Sequence, residues 1–171
     1  KSYIGLGHYN TYTPAVILRN IFENPGWYTA YTPYQAEISQ GRIEALLNYQ
    51  TMICSLTGMP LSNASLLDEG TAAGEMMLMF FHARSREAVK NNVNKYFVSE
   101  DVFSHSLAVI KTNAAPLGIE VVVGKADQVE LDGTFFGAMV QYPNQHGAIH
   151  DYSAFVAKAK EHNIFVGAAA D

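Results

Sequence analysis

From residue 95 onward the hydrophobic positions form short continuous runs, separated by segments where they recur every three or four residues. Residues 95–99, 119–123, 135–142 and 164–170 read as strands, the second ended by Gly124. Residues 102–115 and 152–162 read as helices, with Phe155, Val156 and Ala159 on one face of the latter. Continuous apolar strands separated by helices predict a parallel sheet covered on both faces. Upstream, Pro14 suits the first turn of a short helix over 15–22, ended by Asn24-Pro25-Gly26. A long helix over 38–57 follows from Ile43, Leu46, Leu47, Ile53 and Cys54 at near helical spacing. Gly58 and Pro60 stop it. The whole reads as one α/β domain over 1–171. Residues 1–60 give an N-terminal loop, an aromatic segment and the long helix, and 61–171 give the major three-layer part.

The segment 65–81 passes from a turn of small and acidic residues into a run of helix formers, so a helix starts near Gly70 or Thr71 and runs to about Arg86. A helix start carries unpaired N–H groups and a partial positive charge. Gly70 permits close backbone approach and Thr71 adds a hydroxyl, which together make a cradle for a phosphate or carboxylate. The plainer reading is a capped helix in which Asp68 or Thr71 satisfies its own backbone.

In an open α/β sheet, ligands bind beyond the carboxyl ends of the strands. His105 follows the first strand, Asn144 the third, and Asp171 the fourth. With Gly70 and Thr71 they make a chemically sensible set for an aromatic phosphate cofactor. The helix start takes the phosphate, the imidazole stacks on the ring, and the aspartate pairs with a ring nitrogen so that the ring becomes an electron sink. Each member also has an ordinary structural reading: His105 as a helix-start residue, Asp171 as a loop cap. His146 and His150 are four apart with Gly147 between them, a poor metal spacing away from a helix.

Residues 27–35, Trp-Tyr-Thr-Ala-Tyr-Thr-Pro-Tyr-Gln, form an ordered aromatic loop stiffened by Pro33. Its side chains, Tyr31 and Tyr34 among them, either pack against a neighbouring subunit or wall a ligand with phenol donors. Charged residues are only 16% of the chain against a usual value of about 25%. Much of the surface is therefore expected to be covered, by a subunit or by more of the same polypeptide, and a dimer or larger assembly follows. A net charge of −5 without basic clusters argues against nucleic acid. No apolar run reaches the length of a membrane span. The single Cys54 cannot close an internal disulfide, which fits a reducing compartment. The start at Lys1 and the stop after an apolar run are expected for a fragment of a longer protein.

Several long phrases closely resemble the glycine decarboxylase family, the P-protein of the glycine cleavage system. They are 4–11, 27–35, Glu37-Ile38-Ser39-Gln40-Gly41-Arg42, 117–124 and Asn63-Ala64-Ser65-Leu66-Leu67-Asp68-Glu69-Gly70-Thr71-Ala72-Ala73. The likeness is to the N-terminal half. It implies the aminotransferase-like (fold type I) large domain, built on a mixed, mostly parallel sheet. It implies pyridoxal 5′-phosphate, glycine as substrate and the lipoyl H-protein as partner, in the cytoplasm of a bacterium or the mitochondrial matrix of a eukaryote. It also implies that the cofactor-linking lysine belongs to the other, C-terminal half or separate subunit. None of Lys90, Lys95, Lys111, Lys125, Lys158 and Lys160 stands in the linking position. The cleft of Gly70, Thr71, His105, Asn144 and Asp171 is then a vestige, while Tyr31 and Tyr34 act across the interface on the working site. Another pyridoxal phosphate decarboxylase or transaminase-like enzyme, and a non-catalytic scaffold half, stay open as alternatives.

Overall fold

The computed structural model describes residues 11–28 and 35–171, and these fall into two compact units, one within 11–66 and one over 67–171. The aromatic segment beyond Tyr28, with Tyr31 and Tyr34, lies outside the described residues.

The first unit is helical. A short helix α1 (Ala15–Ile17) widens into a π-helical turn (Leu18–Phe22), and α2 (Pro25–Tyr28) begins where a plain stop was expected. Asn24 explains this: its side-chain oxygen accepts from Gly26 N–H at 2.9 Å, and its carbonyl accepts from Trp27 N–H, so the chain re-enters a helix at once. The long helix α3 (Ala36–Thr57) kinks at Ser39 and ends at Gly58, whose φ of 71° suits glycine at the cap. Arg42 on α3 donates to the carbonyl of Gly26 at 2.9 Å and so holds the short helices. Cys54 is half-buried on α3 and carries no disulfide.

The second unit is the three-layer part. Its elements are α4 (Glu69–His82), α5 (Arg86–Lys90), β1 (Lys95–Ser99), α6 (Ser104–Ala114), β2 (Glu120–Gly124), β3 (Phe135–Tyr142), α7 (Ser153–Glu161) and β4 (Phe165–Ala170). All four strands are parallel, in the order β2-β1-β3-β4. The chain leaves β1 toward one edge through α6 and leaves β3 toward the other through α7. With crossovers of one hand, the two helices must fall on opposite faces. α4 ends at His82, short of the expected Arg86, and a new short helix α5 starts beyond it because Ser85 accepts from Ala88 N–H at 3.1 Å and caps it.

Successive residues of a strand face opposite ways. Tyr96 and Val98 of β1 join Met77 and Ala73 of α4 and Ile110 and Ala114 of α6 in one core. Phe97 joins Phe155 and Ala159 of α7 in the other, with Ala138 and Val140 of β3. The register between β1 and β3 slips at Phe136: Lys95 pairs with Phe135, but Tyr96 pairs with Gly137. This bulge turns Phe136 to the α4–α6 side, where its ring stacks on Tyr96 at 5.4 Å, while Phe135 stays on the α7 side. Strand order reverses between β1 and β3, so the natural ligand crevice lies beyond their carboxyl ends.

Candidate functional site

At the start of α4 the backbone of Asp68 is extended and its carboxylate turns back onto the helix. Oδ1 accepts from Thr71 N–H at 2.7 Å, and the Thr71 hydroxyl also donates to it. These two bonds hold the Asp68 carboxyl below the ordinary range. Asp68 is therefore the N-cap, and both donors that Thr71 offers are spent on it.

Gly70 is buried, and a Cβ there would stand 3.3 Å from Val109 Cγ2 and 3.7 Å from Ser106 Cα. Its small size thus serves the close crossing of α4 on α6. One turn on, Gly74 faces Asn113 in the same way.

Glu69 is the centre of the edge. Its Oε1 accepts from Gln141 Nε2 at 3.0 Å, and Gln141 Oε1 accepts from Phe103 N–H at 2.9 Å. Gln141 is fully buried at the end of β3. One amide therefore ties the first residue of α4 to the residue preceding α6, across the sheet. Sequence reasoning assigned no role to Glu69 or Gln141. The available signal was a lone glutamine closing an apolar strand, because a polar group in such a place needs a partner.

His105 lies in the first turn of α6, exposed, its ring stacked on Phe103 at 5.6 Å and 14°. Asp171 follows β4, exposed, and donates its N–H to the carbonyl of Tyr142 at 3.1 Å. Partial burial raises the Glu69 carboxyl above its ordinary value; His105 and the Gln141 bond oppose the rise, and the charge of Asp171 adds to it. Thr71, His105 and Asp171 thus gather near Glu69 at one edge of the sheet.

Asn144 is spent on its own loop. Its Oδ1 accepts from His146 N–H at 3.0 Å and Ala148 N–H at 2.9 Å, and its Nδ2 lies 3.3 Å from His150 Nε2. This loop clasps the one after β1: Gln145 N–H donates to the Asp101 carbonyl, and His146 Nε2 stands 3.9 Å from Asp101 Oδ1. Among the described residues no group of three or more histidines, cysteines or carboxylates could hold a metal ion.

On the α7 side of the same edge is a cavity of about 650 Å³, lined by Asp101, Lys125, His150, Tyr152 and Lys158 among others. Lys158 donates to the Val129 carbonyl at 3.0 Å. Tyr152 donates its hydroxyl to the Gln141 carbonyl at 3.3 Å.

The residues at the α4 start do not fit a phosphate. A phosphate there would displace Asp68 from Thr71 and meet the carboxylates of Asp68, Glu69 and Asp171 together. Like charges at this spacing repel, and the helix start offsets only about half a charge. Each member of the cradle is present, but the chain closes it with its own carboxylate.

The family model of the glycine cleavage system P-protein matches residues 1–171. The chain is 59% identical over 171 residues to the glycine dehydrogenase (decarboxylating) of Flavobacterium johnsoniae, covering 100% of this chain and 18% of that protein. It is 56% identical over 171 residues to the protein of the same name from Synechocystis sp., covering 100% of this chain and 17% of that one. The chain therefore spans less than a fifth of the length of these curated relatives, in their N-terminal part. Among solved structures it is similar to the crystal structure of glycine decarboxylase (P-protein) of the glycine cleavage system in inhibitor-bound form. There the TM-score is 0.85 at 30% identity, over 100% of this chain and 38% of that one. That likeness gives the three-layer part of this chain the aminotransferase-like (fold type I) fold. Matched along its whole length by the family model, this chain belongs to the glycine cleavage system P-protein family.

Proposed function

We propose that this chain is a fragment of a glycine dehydrogenase (decarboxylating), and that it belongs to the half without the cofactor-linking lysine. The match of all 171 residues to the P-protein family carries the reading. The complete enzyme would release carbon dioxide from the glycine carboxylate and pass the aminomethyl group to the lipoyl arm of H-protein. Pyridoxal 5′-phosphate, held by residues outside this chain, would supply the electron sink.

The role of this chain is then to build and to reach. The Gln141 bridge and the two cores give a rigid edge from which neighbouring segments can be positioned. Tyr31 and Tyr34 act across the interface with the C-terminal half or second subunit, their phenols holding a carboxylate or cofactor oxygen. The low charge fraction of 16% supports a surface covered by that partner, in a dimer or larger assembly.

The test is exchange of labelled carbon dioxide into the glycine carboxyl by the complete protein containing this segment. The proposal expects exchange that requires both pyridoxal phosphate and lipoylated H-protein. Full exchange without either, or none with both, would contradict it.

A further inference from the structure

A second cavity, of about 490 Å³, opens at the opposite end of the sheet, beside the amino ends of β1, β3 and β4. Its wall includes Arg84, Ser85, Glu87, Asn91, His162 and Asn163. Arg84 is half-buried and held rigidly. Its Nε donates to the Phe81 carbonyl at 2.6 Å and one Nη to the Val93 carbonyl at 2.6 Å. Its guanidinium carbon lies 3.4 Å from the centre of the Phe81 ring and 5.7 Å from that of Phe136.

A guanidinium has five N–H donors in a planar fork. The two carbonyls take two of them, and no carboxylate pairs with Arg84 among the described residues. The rings shield its charge from water without neutralising it. A partly desolvated charge normally has a counter-charge. Around it the wall offers further donors: the amides of Asn91 and Asn163 and the imidazole of His162. Glu87 is the single acid of that wall.

We propose that this cavity binds an oxyanion of the carboxylate or phosphate class, with the open edge of the Arg84 fork as its anchor. The fork geometry matches two oxygens of such a group, which an ammonium at the same place would not. The site lies at the opposite edge of the sheet from Glu69 and Gln141, and does not depend on the glycine reading.

The test uses the complete protein, saturated with pyridoxal phosphate so that its cofactor site is filled. Thermal unfolding is followed against inorganic phosphate and, separately, acetate, at constant ionic strength set with chloride. An anion that binds the folded state raises the midpoint with its concentration. The wild type should respond to at least one of the two, which tells phosphate from carboxylate preference. Arg84→Lys should raise the apparent Kd about 10-fold or more. His162→Ala, which leaves both carbonyl bonds of Arg84 in place, should weaken the response in the same direction and keeps the test open if the Arg84 variant does not fold. No response in the wild type, or equal responses in wild type and His162→Ala, would overturn the proposal.

Discussion

Gln141 donates its buried side-chain amide to Glu69 at 3.0 Å, so the last turn of a central strand grips the first residue of a helix. The same amide accepts from Phe103 N–H, and three elements meet on one side chain. Gln141→Leu keeps the volume and removes both bonds. We expect it to destabilise the protein by about 1–3 kcal/mol, from buried groups left unsatisfied. Thermal unfolding of the complete protein measures this, and an unchanged midpoint would mean that the bridge is dispensable.

Glu69 should show its environment through pH. Burial raises its carboxyl, so the folded state favours the protonated form. The associated stability is present below the unfolded value and is lost as pH rises through the folded one. Glu69→Gln retains an acceptor for Gln141 without the charge. It should equal the wild type at acidic pH and gain on it as pH rises toward neutral. Parallel stability–pH curves for the two proteins would refute this.

Asp68 should behave in the opposite sense. Its two bonds from Thr71 lower its carboxyl, so its contribution is present above the unfolded value and lost as pH falls through the folded one. Asp68→Ala should destabilise at neutral pH, and Asp68→Asn should retain most of the cap. The difference between Asp68→Ala and wild type should shrink on acidification, which the same unfolding series reads directly.

Gly137 tests the crowding beside the Phe136 bulge. A Cβ there would stand 2.9 Å from Tyr96 Cε2 and 3.0 Å from Phe80 Cδ2. Both neighbours are packed rings: Tyr96 stacks on Phe136 and Phe80 on Phe165. Gly137→Ala should cost about 1–3 kcal/mol by overpacking. A neutral or stabilising effect would show that the rings yield.

The architecture was readable because its signals are local. Apolar runs ended by Gly124 or a polar turn place every strand of the sheet within a residue or so of its observed bounds. Gly58 ends α3 where a left-handed cap is needed. The bulge at Phe136 was hidden, since it depends on register against β1 and not on the composition of β3. At the edge, residue type indicated location better than role. His105 and Asp171 do lie near Glu69, but Thr71 is engaged by Asp68 and Asn144 by its own loop. Whether a hydroxyl or an amide is free depends on neighbours that only the fold supplies.

We propose that this chain frames a glycine decarboxylase without housing the reacting centre. Four single substitutions in the complete protein test it most directly: Tyr31→Phe, Tyr34→Phe, His105→Ala and Asp171→Asn. Glycine–carbon dioxide exchange is compared after matching thermal stability. The two tyrosine variants should lose about 10- to 100-fold in rate, as expected for a lost hydrogen bond to a charged group in the transition state. His105→Ala and Asp171→Asn should stay near wild type. If the tyrosine variants keep full rate while Asp171→Asn loses activity without loss of stability, the reacting centre lies in this half and the account is contradicted.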